Sequence, residues 1–491
     1  MTADPRLVAI VDSGQMSYSR RPPFHPHEAF PEMPYARHEL DPANRIYGAV
    51  RELLHLLALD AENYGTGDWN PLGEFVHPGD RVVIKPNFVR EAIKDETDID
   101  AIVTHGSVIR PIVDYCEIAL KGEGHLVVAD SPQFDSDFDK IVTENGTREM
   151  VKWINACATP KVDLLDLRAE RVEYEGNVVV RRHKLAGDPE GYTTVNLGSA
   201  STFANVERLM PRIYGADYDT NETRKHHVQG VHEYLVSNTV LGADFFVCVP
   251  KLKTHKKAGI TVSLKNAIGI IGDKNYLPHH RIGPASHGGD EFEGESLRKR
   301  AKSAAYNTVL RTMAKMPSTA KVLRVPGAAY SVVSASGMGG YEAGNWYGND
   351  TIWRTTLDLN RILLFAGKDG TLDNNRRRRY ISIVDGIIAG EREGPLDPSA
   401  KPTGLLLAGS DPVVVDMTCS QLMGFAYERI PTIRESLVHR ELGLGGAEPR
   451  RIRVASNDPK WSRLWNDQSA SLKFEPHSGW TPALEAKVDD S

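Results

Sequence analysis

The chain has 491 residues, and its 59 lysines and arginines against 65 acidic residues give a formal net charge of −6. This slight acidic excess argues against a nucleic-acid partner, because dedicated nucleic-acid binders usually carry a basic surplus. Hydrophobic residues make up 41% and charged residues 25%, which are ordinary values for a globular protein with a substantial core.

The cysteines and the apolar runs exclude several further classes of protein. Four cysteines lie far apart, with no Cys-x-x-Cys pair and no Cys/His spacing typical of zinc. This pattern argues against a disulfide framework, a structural zinc and an iron–sulfur cluster. The N-terminus lacks the features of a signal peptide, and no run approaches about 18 apolar residues. We therefore expect a cytoplasmic protein with no membrane partner.

Short apolar runs rich in Val and Ile recur along the chain, each bounded by Gly, Pro or Asp. Continuous apolarity favours strands that are buried on both faces, as in a parallel sheet covered by helices. The runs predict strands at 7–11, 81–84, 126–129, 245–249, 362–366, 381–384 and 405–408.

Helix-like stretches lie between these predicted strands. Residues 49–59 and 108–120 carry apolar residues at helical spacing, and Asp411-Pro412 has the N-cap and first-turn residues that begin a helix. Strands that alternate with helices predict an α/β fold, with a doubly wound, mostly parallel sheet and helices on both faces.

Two segments interrupt this alternation. Residues 185–235 and 283–345 are rich in Gly, Asn and charge, so we predict two irregular insertions within a single α/β domain of residues 1–450. Residues 451–491 are polar with scattered Trp, which predicts a C-terminal tail on the surface.

Polar residues follow several predicted strands at the point where each strand ends. Lys85 and Asn87 follow one strand, Asp130 follows the next, and Asp411 follows the last. Because ligands of open α/β sheets bind outside the carboxyl ends of the strands, we expect these side chains to meet at one rim. His105 precedes a predicted helix near the Lys85 strand end, and it is a candidate acid or base.

The segment after the strand at 245–249 carries the strongest single signal. It contains Lys251, Lys253 and His255, and a predicted helix with Lys265 and Asn266 follows. Cations beside a helix N-terminus favour an anion site for phosphate or carboxylate.

The lysines of this segment are expected to differ from one another. Alternation in an extended chain predicts that Lys251 and Lys253 share one side and bind the ligand, whereas Lys256 and Lys257 are mostly solvated. Lys265 lies in an otherwise apolar run, where a lysine needs a partner. We therefore expect it to be buried and paired with a carboxylate, either Asp130 or Asp385.

The loop after the strand at 381–384 supplies carboxylates. Asp385 and Glu391 are candidate Mg²⁺ ligands or general acids and bases. The glycines between them are equally consistent with a hairpin that carries exposed acids, so both interpretations stay open.

These motifs occur in an order that resembles a known family. Ile84-Lys-Pro-Asn87, Ala129-Asp-Ser-Pro132, Val249-Pro-Lys-Leu-Lys-Thr-His255, Thr261-Val-Ser-Leu-Lys-Asn266 and Ser410-Asp-Pro-Val-Val-Val-Asp416 are similar to the family called domain of unknown function 362. The resemblance implies an α/β cytoplasmic protein, which in some members is fused to ferredoxin-like iron–sulfur segments. This chain lacks clustered cysteines, so we expect no iron–sulfur cluster.

Together the residues favour an enzyme that acts on an anionic small metabolite, phosphorylated or carboxylated, with its reaction class and oligomeric state open. The candidate catalytic residues are Asp130, His105 and Lys265. The candidate substrate-binding residues are Lys85, Asn87, Lys251, Lys253, His255 and Asn266.

Two alternatives remain open. Gly272-Asp-Lys274 followed by Pro278-His-His280 resembles nickel-dependent lactate racemase-type proteins, which implies a cofactor-assisted isomerase. A non-catalytic ligand-binding or assembly protein would use the same anion pocket, because binding needs only hydrogen-bond donors whereas catalysis needs a titratable group as well.

Overall fold

The computed structural model describes residues 4–33, 39–92, 99–175, 178–215, 220–301, 303–304, 308, 343–438 and 441–484. No helix within these ranges is long and apolar enough to cross a membrane. The strands are β1 (Leu7–Asp12), β2 (Arg81–Pro86), β3 (His125–Asp130), β4 (Val162–Asp166), β5 (Glu170–Glu175), β6 (Val178–Lys184), β7 (Tyr192–Asn196), β8 (Ile213–Tyr214), β9 (His227–Val228), β10 (Val231–Ser237), β11 (Phe245–Val249), β12 (Lys251–His255), β13 (Gly259–Thr261), β14 (His280–Arg281), β15 (Arg379–Glu391), β16 (Ser399–Gly409) and β17 (Arg453–Ser456).

Several of the helices consist of a single turn. The helices are α1 (Ile46–Leu56), α2 (Ile99–Ile102), α3 (Gly106–Leu120), α4 (Phe138–Glu144), α5 (Thr147–Cys157), α6 (Thr220–His226), α7 (Asn238–Leu241), α8 (Ser263–Asn266), α9 (Ile352–Phe365), α10 (Pro412–Met423), α11 (Pro431–Ser436), α12 (Pro459–Ser462) and α13 (Thr481–Leu484).

A large, mostly parallel sheet forms the centre of the molecule. Its strand order is β17-β1-β16-β15-β11-β2-β3-β4, and β12 and β13 join it beside β15. Along this path β16 runs antiparallel to both of its neighbours, and the other pairs are parallel. The predicted α/β fold is confirmed.

Two hydrophobic cores lie on opposite faces of this sheet. Side chains of a strand alternate between its faces, and in β1 Val8 and Ile10 belong to one core whereas Ala9 and Val11 belong to the other. Helices α1, α3 and α5 supply apolar residues to the second core, and α9, α10 and α11 supply them to the first. Helices therefore cover both faces.

Six of the predicted strands coincide with observed strands, and one prediction is wrong. Residues 362–366 form the last turn of α9 and the residue after it, rather than a strand. All residues of α9 are buried, and a short apolar run such as that at 362–366 does not distinguish a buried helix from a strand. The predicted start at Asp411 is confirmed, because its carboxylate accepts hydrogen bonds from the backbone N–H groups of Val413 and Val414.

The segments that were expected to lie outside the regular fold are partly regular. Residues 185–235 contribute the small sheet β7-β10-β9, and most of 305–342 lies outside the described residues. The C-terminal segment differs from a surface tail, because β17 extends the central sheet beside β1 and Trp461 and Trp480 are buried.

Candidate functional site

A cavity of about 510 Å³ lies at the carboxyl ends of β2 and β3, next to β12 and α8. Its lining is strongly basic. The lysines that line it are Lys85, Lys253, Lys256, Lys257, Lys265 and Lys274, and the acidic residues that line it are Asp130 and Asp135. Aromatic and aliphatic side chains complete the wall, among them Phe134, Tyr174, Tyr214, Leu277, Ile352 and Leu396.

A buried ion pair between Lys85 and Asp130 forms part of this lining. The Lys85 ammonium lies 2.7 Å from Asp130 Oδ1 and also donates to the Pro86 carbonyl and to Asn266 Oδ1, each at 3.0 Å. These three acceptors satisfy all three donors of the ammonium. Asp130 in turn accepts from the backbone N–H groups of Phe88 and Ser131. Both charges are therefore fixed in position.

Gly269 explains how the main chain passes so close to this pair. A Cβ at position 269 would overlap the Asp130 carboxylate and the Lys85 amine. The Gly269 carbonyl also accepts a hydrogen bond from the Ser131 N–H at 3.0 Å. Glycine is thus required here because the backbone of one segment lies directly against an ion pair of another.

The short helix α8 carries Lys265 and Asn266 to the cavity, and a carboxylate from α10 fixes its start. Asp416 accepts hydrogen bonds from the backbone N–H groups of Ser263, at 2.8 Å, and Leu264, at 3.1 Å. Burial raises the pKa of Asp416 to about 7, although these N–H groups oppose the shift. Asn266 donates to the Lys85 carbonyl at 3.1 Å, which joins α8 to β2.

Two cavity lysines that donate to backbone carbonyls have strongly lowered pKa values. Lys257 donates to the Ala343 carbonyl, and Lys274 donates to the Ser131 carbonyl at 2.8 Å. Burial and the adjacent Lys256 lower the pKa of Lys257 to about 7. Burial, partly offset by Asp130, lowers the pKa of Lys274 to about 7.

The structure does not show the expected pairing of Lys265 with a carboxylate. It is partly buried, and among the described residues it has no hydrogen-bond or ion-pair partner. Burial and the neighbouring Lys85 lower its pKa to about 8. The predicted pairing is wrong because Lys85 occupies Asp130, and Asp385 is paired with Lys251.

Two cavity histidines are fixed in opposite tautomers by backbone hydrogen bonds. His255 Nδ1 accepts from the N–H groups of Lys257 and Ala258, so the proton of the neutral ring lies on Nε2. His279 Nδ1 lies 2.9 Å from the Leu277 carbonyl, which can only accept, so its Nε2 is unprotonated. Burial, with Lys265 and Lys257 respectively, lowers the pKa of His255 well below its ordinary value and that of His279 to about 3.

The cavity wall also contains polar atoms that are buried without a hydrogen-bond partner among the described residues. These atoms belong to Asn87, Ser131, Gln133, Asp135, Thr261 and His280. Buried polar atoms are normally satisfied. Their concentration in one cavity indicates a place for a polar ligand or for water.

Lys251, Asp385 and His105 form a separate network that does not line the cavity. The Lys251 ammonium lies 3.0 Å from Asp385 Oδ2 and 2.5 Å from the Tyr18 hydroxyl. Tyr18 donates to Asp385 Oδ1 at 2.6 Å and stacks on His105, with ring centroids 4.2 Å apart. His105 Nδ1 accepts from the Ser107 N–H and caps α3. The structure therefore gives this histidine the geometry of a helix cap.

The side on which each lysine lies was predicted only in part. Leu252 packs in the core opposite to its neighbours, as alternation predicts, but Lys251 points away from the cavity lining. Lys253 lines the cavity, yet its amine donates to the carbonyls of Ile102 and Pro395. Lys256 and Lys257 line the cavity rather than lying in solvent, because β12 and β13 turn back beside α8.

The structure pairs both residues of the predicted magnesium site, Asp385 and Glu391, with lysines. Both belong to β15 and are six positions apart, with register irregularities between them. Each carboxylate has its own cation, Lys251 for Asp385 and Lys401, at 2.8 Å, for Glu391. Within the described ranges, no group of three or more His, Cys, Asp or Glu side chains has metal-binding geometry.

Lys274 and His279 are the main cavity residues that were not proposed as site residues from the sequence. They lie on an irregular segment between α8 and β14, where neither helical spacing nor strand alternation points to a shared surface. Their signal in the sequence is the pattern Gly272-Asp-Lys274 and Pro278-His-His280, which resembles lactate racemase-type proteins but did not connect either residue with the anion site.

The chain matches the family described as domain of unknown function 362 (DUF362) over residues 82–195 and 204–421, which is more than half of its length. The protein belongs to this family. The match contains β2, β3, β11, β12, α8 and α10, which carry the Lys85–Asp130 pair, the lysine segment and Asp416. No protein with a curated description matches the chain.

Proposed function

We propose that the protein is an enzyme that binds a small anionic metabolite, phosphorylated or carboxylated, in the lysine-lined cavity. The observation that carries this proposal is the charge of the lining, where six lysines face two aspartates. Lys85 already neutralises one of these, Asp130, at 2.7 Å. The remaining positive charge needs an anion, since buried charges are costly unless they are paired.

The lowered lysine pKa values support the same conclusion. Lys257, Lys265 and Lys274 have pKa values of about 7, 8 and 7 because they are buried close to other cations. An opposite charge within a few Å favours the protonated form, so a bound anion would raise these pKa values. Charge-assisted hydrogen bonds to an anion contribute about 1.5–3 kcal/mol each.

The two histidines support an enzyme over a simple binding protein. His255 offers an Nε2–H donor and His279 offers an unprotonated Nε2 acceptor to the same cavity. A donor and an acceptor of fixed tautomer can hold a ligand in one orientation, and a bound anion would raise the lowered pKa values of both rings toward the range that proton transfer requires. Lys85 and Asp130, whose hydrogen bonds are already made, would position the ligand rather than exchange protons with it.

Titration with inorganic pyrophosphate tests the anion site. Lys257→Met and Lys274→Met should each weaken binding about tenfold or more, because each removes a charge-assisted hydrogen bond. Lys140→Met is the matched control, since Lys140 is half exposed and pairs with Glu144 outside the cavity. Equal, small losses for all three variants would contradict the proposed site and indicate a diffuse electrostatic effect.

A panel of phosphorylated and carboxylated metabolites, followed by product detection, tests the catalytic part. His279→Gln retains a polar side chain but lacks a basic ring nitrogen, so it should retain anion binding and lose turnover. Binding of a metabolite without any turnover by the wild-type protein would favour the non-catalytic alternative.

A further inference from the structure

Lys265 is set apart from the other cavity lysines by the contacts of its amine. Lys85, Lys253, Lys257 and Lys274 each donate to named acceptors. Lys256 has no such hydrogen bond among the described residues, but the Glu393 carboxylate is close enough to favour its protonated form. Lys265 has neither an acceptor nor a nearby carboxylate within the described part of the chain.

The surroundings of Lys265 are those of a lysine that can act as a nucleophile. The Lys85 ammonium lines the same cavity and is held in position by three acceptors. A fixed cation beside a partly buried amine favours the neutral amine, and this is a known way to activate a lysine. The amine lies on α8, whose start is anchored by Asp416, so its position in the cavity is defined.

We propose that Lys265 forms an imine with the carbonyl carbon of an aldehyde or ketone whose anionic group is bound by the other cavity lysines. This inference rests on the proposed function and narrows the substrate class to anionic carbonyl compounds. It assigns covalent chemistry to a residue whose position in the cavity would otherwise be explained by charge alone.

The step balances without an oxidant or a reductant. The neutral Lys265 amine adds to the carbonyl carbon, and the carbon–nitrogen bond forms as the carbonyl π bond becomes a hydroxyl group. A proton leaves the nitrogen, the hydroxyl group takes up a proton, and it departs as water when the carbon–nitrogen double bond forms. Both protons that the nitrogen loses end on the departing water, so the step needs no outside proton. His255, His279 and Lys265 line the same cavity, and the two rings can hydrogen-bond to the reacting groups.

The acidity of the amine makes the reaction feasible near neutral pH. With a pKa of about 8, roughly half of the Lys265 amine is neutral at pH 8. An ordinary lysine, with a pKa of about 10.4, is neutral in only roughly one molecule in 250 at that pH. The neutral fraction of Lys265 is therefore about a hundredfold larger.

Pyridoxal 5′-phosphate is a suitable probe because it joins an aldehyde to a phosphate. The full-length protein is incubated with the probe and reduced with borohydride, and the modified peptide is identified by mass spectrometry. We expect one phosphopyridoxyl group, located on Lys265. Lys265→Arg, which retains the charge but cannot form an imine, should abolish this label. Lys140→Arg, on the surface, should label like the wild type.

Pyridoxine 5′-phosphate separates this inference from the proposed function, because it has the same ring and phosphate but no aldehyde. If it binds and competes with the label while Lys265→Arg still binds it, both the anion site and the imine are supported. If it binds but the label is absent, or lies on Lys256, Lys257 or Lys274, the imine is wrong and the anion site stands. If neither this compound nor pyrophosphate binds, the proposed function fails. Peptide mapping of the wild-type protein decides the position of the label even if Lys265→Arg does not fold.

Discussion

Two lysine–aspartate pairs of the central sheet have different surroundings. Lys85–Asp130 and Lys251–Asp385 are both almost fully buried, with N–O distances of 2.7 and 3.0 Å. The first lies in the wall of the cavity, beside Asn266 and Gly269. The second is covered by Tyr18, whose hydroxyl contacts both members of the pair.

The difference shows that a charged pair of this sheet lines the cavity only where no other segment covers it. Tyr18 lies before residue 82, where the match to the family begins. This N-terminal segment thus closes the Lys251–Asp385 pair from outside the matched region. Residues of the same type, in one sheet, therefore have a structural role in one place and line a cavity in the other.

The pair that Tyr18 covers, Lys251–Asp385, should give the largest effect on stability when it is broken. Lys251→Met leaves the Asp385 carboxylate buried without its cation, although Tyr18 still donates to it. Removal of one partner of a buried pair costs about 3–5 kcal/mol, so the free energy of unfolding should fall by about that amount. Urea unfolding measures it. Lys251→Met combined with Asp385→Asn should recover part of the loss, and an unchanged midpoint for the single variant would contradict the role assigned to the pair.

Which of the two pairs lines a cavity could not be predicted from the sequence. The strand-end rule correctly brought Lys85, Asn87 and Asp130 together, because the carboxyl ends of adjacent parallel strands share one edge. It was wrong for Asp411, which caps α10 and does not line the cavity. It does not include the Tyr18 segment, which is more than 60 residues away from Lys85 in the chain and follows no periodic pattern.

The partners of the lysines were also beyond sequence reasoning. Lys265 was expected to pair with Asp130 or Asp385 because a buried lysine needs a carboxylate. The argument correctly predicts that a buried lysine pairs with Asp130, but it does not say which of the lysines does so. Lys85 is on the strand adjacent to Asp130 and takes that position. The fold class depends on many residues and was predictable, whereas each pairing depends on a single contact.

Gly269→Ala tests the Lys85–Asp130 pair in the cavity wall, because it displaces the two side chains without removing a charge. The new methyl group would overlap Lys85 and Asp130, and overpacking of this kind costs about 1–3 kcal/mol. We expect a lower midpoint of thermal unfolding together with weaker pyrophosphate binding. Gly67→Ala is the control, because a Cβ there meets only the Pro31 carbonyl at an ordinary 3.6 Å. A loss of stability with unchanged pyrophosphate affinity would show that the pair does not shape the cavity.

The pH dependence of anion binding should report on the cavity lysines and not on the covered Lys251–Asp385 pair. Lys257 and Lys274 have pKa values of about 7 and Lys265 of about 8, so they are protonated below these values and lose their charge as the pH rises. Affinity for sulfate, whose own charge stays constant, should therefore fall about tenfold between about pH 6 and pH 9. Isothermal titration measures it. Lys274→Met should flatten the profile, and affinity that rises with pH would contradict the assignment.

The smallest effect is expected at Glu391, at the far end of the strand that carries Asp385. Its carboxylate pairs with Lys401, and the Lys401 side chain is about a quarter exposed. Partly exposed pairs contribute about 0–1 kcal/mol, so Glu391→Gln should lower the free energy of unfolding by no more than about 1 kcal/mol and leave pyrophosphate affinity unchanged. Addition of Mg²⁺ should not shift the midpoint of unfolding through this residue, because Lys251 holds Asp385 and Lys401 holds Glu391. If Mg²⁺ stabilised the wild type but not Glu391→Gln, Glu391 would be a Mg²⁺ ligand and this prediction would be wrong.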